Sequence, residues 1–526
     1  MAGLSYARTL CELFQHTSAE LGDRPALRTT DATTSLTWAQ YRDAVRETAA
    51  RLAGLGVEPG DTVALMMGNR PEFHVVDTAA LHLGATPFSI YTTFAPATIA
   101  HLLGNARPKV VVVARELLGA VQKAAVDADV VTLDELAVLA PAADFDFEAA
   151  WRAVAPDALA TIIYTSGTTG PPKGVELTHA NVLADVRASS AVLPFEPGDV
   201  VPSAFPMAHA AERWATHYQG MAHGLDVTCV ADLAELPAVL KTTRPTIWGS
   251  VPRVWEKLYA GLQAAIAANP GLADQPEMLR AAVGLDRVRW AVVGSAPTPP
   301  HVLEFFAGIG ITLCELWGMS ELTCVATVNP PGAPKLGTVG KPIPGVELRL
   351  ASDGEIEVRG DVVMRAYRDD PEKTAETFTE DGWLKTGDIG AIDDDGYVSI
   401  VDRKKELLIT ASGKNLSPTN IESTVKGATP LLAHAVAIGD GKPYITALLV
   451  LDPERGAEVG DPLVHEQLGE AVERANAGLA RIEQVKRWVV VDDVWVPGGQ
   501  ELTPTMKLKR RAIHERYANE ISGLYT

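Results

Sequence analysis

The sequence predicts an α/β protein in two parts. A large N-terminal domain of layered α/β sheets ends in a small antiparallel, barrel-like section, and a smaller α+β domain follows at the C-terminus. Three observations carry this prediction. Strand-like, helix-like and turn segments alternate through the first 300 or so residues of the 526. Hairpin signals appear beyond Gly337. A charged, polar segment near residue 402 then precedes a block with strands and helices of its own, so the domains are drawn as 1–402 and 403–526.

Taken in order, apolar residues recur at helical spacing from Tyr41 to Leu55, and Gly56-Val57-Glu58-Pro59-Gly60-Asp61 stops that helix. Thr62–Met67 reads as a buried strand, Pro71–Leu83 as a helix and Lys109–Val113 as a second strand, the pattern of a largely parallel sheet. Leu225–Val230, Thr246–Gly249 and Val288–Gly294 extend it, and Asn269-Pro270-Gly271 is a surface turn. Val346–Leu350 and Glu355–Arg359 flank the turn Ala351-Ser352-Asp353-Gly354, and Asp393-Asp394-Asp395-Gly396 precedes Tyr397–Val401 as a second hairpin. The last block holds strands at Ala433–Ile438 and Tyr444–Val450 and helices at Leu463–Arg481 and Arg510–Ile521.

A net charge of −20 argues against nucleic acid as a partner, because phosphate backbones need a basic face. It also disfavours electrostatic adhesion to acidic lipid. Four scattered cysteines without a Cys-x-x-Cys pair suit a reducing cytoplasm. The N-terminus shows no signal peptide, and no segment approaches the roughly 20 apolar residues of a membrane span. Gly-x-Ser-x-Gly, His-Glu-x-x-His and a post-strand Gly-x-Gly-x-x-Gly are missing, as is any cysteine–histidine metal spacing.

The chemistry concentrates in Tyr164-Thr165-Ser166-Gly167-Thr168-Thr169-Gly170-Pro171-Pro172-Lys173. The apolar run Ala160–Ile163 leads in as a strand, and Thr178 is a candidate N-cap for a helix over Ala180–Ser189. Glycines admit backbone N–H groups close to an anion, hydroxyls add donors and the lysine adds charge, which together suit a polyphosphate. No Gly-Lys-Ser/Thr follows, so this is not a Walker A loop. In Glu315-Leu316-Trp317-Gly318-Met319-Ser320-Glu321, placed after a strand at Ile311–Leu313, Trp317 offers a flat face to a purine and Glu315 an acceptor for an exocyclic amine. Glu321 supplies the hard carboxylate oxygen that Mg²⁺ prefers. Asp388, in Trp383-Leu384-Lys385-Thr386-Gly387-Asp388, can accept from ribose hydroxyls. The basic Leu502–Arg511 stretch reads by itself as a solvated helix start.

In these motifs and their order the chain resembles the adenylate-forming superfamily of acyl-CoA synthetases, adenylation domains and luciferases. The likeness runs from Tyr164 to Lys507 and is strongest to bacterial long-chain fatty-acid–CoA ligases, on the Leu-Thr-Pro-Thr-x-Lys ending and the Gly413–Pro418 run. The resemblance implies that a carboxylate attacks the α-phosphorus of ATP, and that the thiol of coenzyme A then displaces AMP from the acyl-adenylate. It implies catalytic roles for Lys173, Lys507 and His209, the last in the carboxylate pocket. It groups Gly294, Ser295 and Ala296 with Glu315, Trp317, Gly318 and Ser320 around the nucleotide, pairs Asp388 with Arg403 on the ribose and assigns Mg²⁺ to Glu321. It makes the C-terminal domain mobile about a pivot at Lys405, with Gly413, Lys414 and Asn415 moving towards the coenzyme A side. The superfamily's usual Ser-Gly-Lys is replaced by Thr505-Met506-Lys507, so Lys509 stands as the alternative to Lys507. Trp214 is a candidate gate for an acyl tunnel.

The function expected is therefore ATP-dependent activation of a fatty acid and its transfer to coenzyme A. Alternatives are loading of a carrier protein and a non-catalytic nucleotide or acyl sensor. A homodimer and a peripheral membrane association are both open, and the acyl chain length is not legible.

Overall fold

The computed structural model describes residues 2–125, 127–165, 171–410 and 414–526. A seven-stranded sheet forms one layer. Its parallel strands Asp129–Thr132, Val110–Val113, Thr62–Met66, Thr86–Ser89 and Leu159–Thr165 lie side by side, and Lys173–Thr178 and Ala366–Tyr367 add antiparallel strands at the far edge. The central strands are unbroken apolar runs because both faces are covered: every residue of Thr62–Met66 and Val110–Val113 is buried. A five-stranded sheet runs Ile247–Ser250, Trp290–Val293, Leu313–Trp317, Thr327–Val328, Lys341–Pro342, and its first three strands are parallel. A four-stranded sheet holds Pro25–Thr29, Ser35–Thr37, Val200–Ser203 and Asp226–Cys229.

The expected antiparallel section is the four-stranded sheet Glu347–Leu350, Glu355–Arg359, Leu384–Ile392, Val398–Arg403, with both hairpins where their turn residues put them. The last block has its own core, in which Leu408, Ile421, Val425, Leu449, Leu468 and Val472 pack together. Its sheet orders Leu432–Ile438, Ile445–Leu451 and Val485–Val491, and the third strand, parallel to the second, was not anticipated. Asp402 ties this block to the strand before it: it accepts from Ser417 Oγ at 2.5 Å and from the Thr419 N–H at 3.1 Å, and Ser417 itself caps the Pro418–Gly427 helix. Farther out, Arg253 pairs with Asp452 at 2.6 Å and Lys257 with Glu454 at 2.6 Å.

Some expectations are corrected. The phosphate-loop sequence does not join a strand to a helix. It joins two antiparallel strands, because Lys173–Thr178 pairs with Leu159–Thr165, Lys173 opposite Thr165. The helix comes one strand later, over His179–Ser190, where Thr178 and Asn181 form a reciprocal capping box worth about 1 kcal/mol. The strand expected at Ile311–Leu313 is Leu313–Trp317, so Glu315 and Trp317 are strand residues rather than loop residues. The Arg510–Ile521 helix is broken at Tyr517 into Arg510–Arg516 and Ala518–Gly523. The Asn269 turn opens a short 3-10 helix, Pro270–Leu272.

Candidate active site

The edge of the large sheet, the Leu313–Trp317 strand and the Leu384–Ile392 hairpin converge on one cleft, and the C-terminal block presents Lys507 to it. Each wall is set by local sequence. Gly318 ends its strand where the chain folds back so tightly that a Cβ there would lie 1.8 Å from the Cys324 carbonyl oxygen, a contact only glycine avoids. The turn that follows is a short 3-10 helix, Ser320–Leu322, which holds Glu321 buried and leaves Ser320 half-buried. Gly387, with φ of +74°, bends the next strand so that Asp388 falls opposite Arg403 across the hairpin.

Asp388 is the hub of the cleft. Its Oδ2 accepts from Trp317 Nε1 at 2.8 Å, and its Oδ1 meets Arg403 Nε at 2.8 Å. Burial raises its pKa, while Arg403, the indole N–H and Lys507 oppose the rise. Lys507 stands at the tip of a tight loop closed by a bridge between Leu502 and Leu508. Its N–H donates to Thr503 Oγ1 at 2.9 Å and its carbonyl accepts from the Thr503 N–H. Met506, at φ of +62°, makes the bend. Lys507 is exposed as a residue, yet the protein crowded around its ammonium strips hydration. That loss and the Arg403 charge lower its pKa, against the pull of Asp388, Glu406 and Glu321. Lys509, the alternative lysine, instead donates to the Gly499 carbonyl at 2.7 Å.

His209 faces the same lysine from the large domain. It caps the short Ala210–Glu212 helix through Nδ1, which accepts from the Ala211 N–H at 3.2 Å. Desolvation, then the Lys507 charge, brings its pKa down to about 4, so the ring is neutral at physiological pH. On the opposite side Lys173 sits with its Nζ 4.4 Å from the centre of the Tyr367 ring, and Tyr367 Oη donates to Glu321 Oε1 at 2.7 Å. Burial lowers the Lys173 pKa, Glu321 raises it, and Lys373 and Lys405 lower it.

Gly294, Ser295 and Ala296 form the turn after Trp290–Val293, with Ser295 in the left-handed region at φ of +73°. Glu315 is half-buried. Burial pushes its carboxyl up to about 7, against the N–H groups of Gly337 and Thr298, and its Oε2 is a buried atom with no hydrogen bond among the described residues. Ser166, Gly167, Thr168, Thr169 and Gly170, and with them Gly413, lie outside the described residues. Thr165 ends its strand half-buried. Lys405 is an exposed turn residue beside Arg403. Lys414 and Asn415 are exposed, and Asn415 pairs with Ile409 in a small hairpin. Trp214 is packed in the main core, its Nε1 on Ser189 Oγ at 3.3 Å. Among the described residues no cluster of three or more His, Cys, Asp or Glu is built to hold a metal ion. A single carboxylate, Glu321, near the Lys173 ammonium nevertheless fits Mg²⁺, which takes one or two carboxylates and completes its shell with phosphates and water.

The arrangement matches known proteins along most of the chain. The sequence profile described as AMP-binding enzyme covers residues 14–368, and that described as AMP-binding enzyme C-terminal domain covers 405–526. The chain belongs to the AMP-binding enzyme family. Among the family's curated members, a protein named putative fatty-acid–CoA ligase fadD11 from Mycobacterium tuberculosis is 45% identical over 75% of this chain and 78% of its own length. The long-chain-fatty-acid–CoA ligase FadD15 of the same organism is 34% identical over 94% of this chain and 92% of its own. The AMP-binding fold is shared with o-succinylbenzoate coenzyme A synthetase from Bacillus subtilis, solved with AMP, at 24% identity and a TM-score of 0.78 over 95% of this chain and 97% of that one. It is shared too with the adenylation domain of a carboxylate reductase from Mycobacterium chelonae, at 22% identity and a TM-score of 0.83 over 98% and 91%.

Two features of this cleft escaped sequence reading. Glu406 reaches Arg510 Nε at 3.1 Å while its charge acts on Lys507, and it looked like one more linker charge. Tyr367 sits in an unremarked Met-Arg-Ala-Tyr run. A single hydroxylated aromatic among charged neighbours was the signal available.

Proposed function

We infer that this chain is an AMP-forming fatty-acid–CoA ligase. It uses ATP to convert a fatty acid to its acyl-adenylate, and transfers the acyl group to coenzyme A. The observation that carries the reading is the convergence of Trp317, Asp388, Arg403 and Lys507 on one cleft in a member of the AMP-binding family whose relatives bear fatty-acid–CoA ligase names.

In the first step a carboxylate oxygen forms a bond to the α-phosphorus while the bond to the β-phosphate breaks and pyrophosphate leaves. Two anions must be brought together, and negative charge moves onto the leaving group. Trp317 stacks on the adenine, and the Asp388–Arg403 pair orients the ribose. Lys173 and the Thr165–Gly170 hydroxyls and amides hold the β- and γ-phosphates. Glu321 would hold Mg²⁺, and the ion would supply charge neutralisation for the departing pyrophosphate. Lys507 bridges the attacking carboxylate and the α-phosphate. The neutral His209 lines the carboxylate side without adding a competing cation. No general base is required, because the carboxylic acid is already ionised at neutral pH.

In the second step the sulfur of coenzyme A attacks the acyl carbonyl and AMP departs with the bonding pair. For this the C-terminal domain turns about Lys405, withdraws Lys507 and brings the Gly413–Asn415 segment forward. A long apolar tail in the substrate fits the relatives' names, each buried methylene contributing about 0.8 kcal/mol.

The test is fatty-acid-dependent exchange of pyrophosphate into ATP across a chain-length series, followed by product analysis with coenzyme A or a phosphopantetheinyl carrier protein. Acyl-CoA formation with a long-chain optimum is expected. Exchange without acyl-CoA, with acyl-carrier formed instead, would overturn the acceptor assignment, and no exchange with any acid would overturn the enzyme reading.

A further inference from the structure

Three backbone contacts hold the segment that carries Tyr367. Its two-residue strand, Ala366–Tyr367, pairs with the strand that begins at Lys173, so that Tyr367 lies opposite Val175. Just upstream, the Met364 N–H donates to the Glu321 carbonyl at 2.8 Å, which fastens the same segment to the Ser320–Leu322 turn. The Tyr367 N–H in turn donates to Thr374 Oγ1 at 3.0 Å, anchoring the residue to the Pro371–Thr377 helix. The backbone thus fixes the ring from three sides.

The side chain uses both of its chemical faculties. The hydroxyl donates to Glu321 Oε1 at 2.7 Å, and Glu321 Oε2 makes no hydrogen bond among the described residues. The ring face lies 4.4 Å from the Lys173 ammonium, within the range of a cation–π contact. A phenol is protonated across the working pH range, so it remains a donor.

We propose that Tyr367 is a positioning residue of the ATP site, its hydroxyl orienting the Glu321 carboxylate for the divalent cation and its ring holding Lys173 in place for the phosphates. This rests on the reading of Glu321 and Lys173 given above. The two halves separate chemically. Tyr367→Phe keeps the ring and removes the hydroxyl, leaving a buried carboxylate oxygen without its donor. Tyr367→Leu removes both.

The experiment measures dissociation constants by titration calorimetry on the full chain, for ATP with Mg²⁺, ATP with chelator and AMP with chelator, together with the electron paramagnetic resonance of Mn²⁺ added with ATP. Tyr367→Phe should weaken metal–ATP binding about tenfold and alter the Mn²⁺ signal, with metal-free ATP and AMP within twofold of wild type, the loss expected when a hydrogen bond to a charged group is removed. Tyr367→Leu should weaken metal-free ATP as well, and AMP, which lacks the β- and γ-phosphates, should still be unaffected. Glu321→Gln is the reference variant. If it loses metal-dependent binding and Tyr367→Phe does not, the hydroxyl role is overturned while the metal assignment stands. If neither variant changes metal-dependent binding, both fall. If Tyr367→Leu matches Tyr367→Phe on metal-free ATP, the ring role is overturned. Should Tyr367→Leu fail to fold, Tyr367→Trp keeps a π face and tests that half: tight metal-free ATP binding supports it, and a loss overturns it.

Discussion

The indole N–H of Trp317 donates to Asp388 Oδ2 at 2.8 Å, across 71 residues of sequence, and leaves the other carboxylate oxygen to Arg403. The aromatic proposed for the purine and the carboxylate proposed for the ribose are thus one unit. The pair fixes the indole plane, and the indole in turn helps keep a buried carboxylate charged. Asp388→Asn should therefore weaken AMP binding by more than one lost ribose contact. The expected loss is about 1.5–3 kcal/mol, the scale of a charge-assisted hydrogen bond, or roughly 10- to 150-fold in Kd. Calorimetry on AMP measures it, with Trp317→Phe expected to lose part of the same energy and the double variant less than the sum.

Lys507 and Lys509 are two residues apart and face different partners. Lys507→Ala should slow adenylation by roughly 10²–10³-fold, the scale of one positioned electrostatic group, while preformed acyl-adenylate is still converted to acyl-CoA. Lys509→Ala should leave adenylation within about threefold, since its ammonium is committed to the Gly499 carbonyl. Separate assays of the two half-reactions decide it, and equal loss of both in Lys507→Ala would remove that residue from the first step.

Asp185 is fully buried, accepts from the Val325 N–H at 2.8 Å, and has its pKa pushed up to about 8 by burial. An acid raised above its unfolded value binds more protons in the folded state. Its contribution is therefore whole below about pH 4 and is lost as pH rises through 8. Stability should fall between pH 6 and pH 9, and Asp185→Asn, which retains the acceptor, should flatten that fall by at least ~1 kcal/mol. Denaturant unfolding at the two pH values measures the difference.

Asp77 and Arg213 form a wholly buried ion pair, and His217 Nε2 adds a contact to the same carboxylate at 2.9 Å. Arg213 also donates to Ser89 Oγ and Tyr218 Oη, both at 3.0 Å. Asp77→Asn would strand a buried guanidinium and should cost about 3–5 kcal/mol, read as a lower denaturation midpoint. Burial by itself would raise the Asp77 pKa, but Arg213, His217 and the hydrogen bonds both make to the carboxylate together lower it in the fold, so its contribution is present above the unfolded value and fades as pH falls below about 4.

Much of the architecture was legible because it is local. The Val63–Met66 and Val110–Val113 apolar runs announce strands covered on both faces, and Asp-Gly and Ser-Asp-Gly turns announce the two hairpins. The Val485–Val491 strand was missed because two successive charged residues, Lys486 and Arg487, break its apolar run without alternation, and it becomes a strand only by pairing with Ile445–Leu451. The Lys173–Thr178 strand was missed for a similar reason. Whether a run after a glycine-rich loop turns back on its neighbour depends on which edge is free, not on its own residues.

The sequence by itself determined the chemistry of this chain: a loop of glycines, hydroxyls and a lysine, a Trp-Gly-x-Ser-Glu run, an Asp and a distant Lys, in an order that one family shares. Residue type and spacing suffice for that, because affinity for phosphate, purine or Mg²⁺ is a property of functional groups. Only the tertiary structure decided how those groups are held. It gave Asp388 to Trp317 and Arg403, set Lys507 rather than Lys509 beside them, and put Tyr367 between Glu321 and Lys173. Hydrogen bonds and cation–π contacts act over a few ångströms, and only folding brings groups scores of residues apart within that reach.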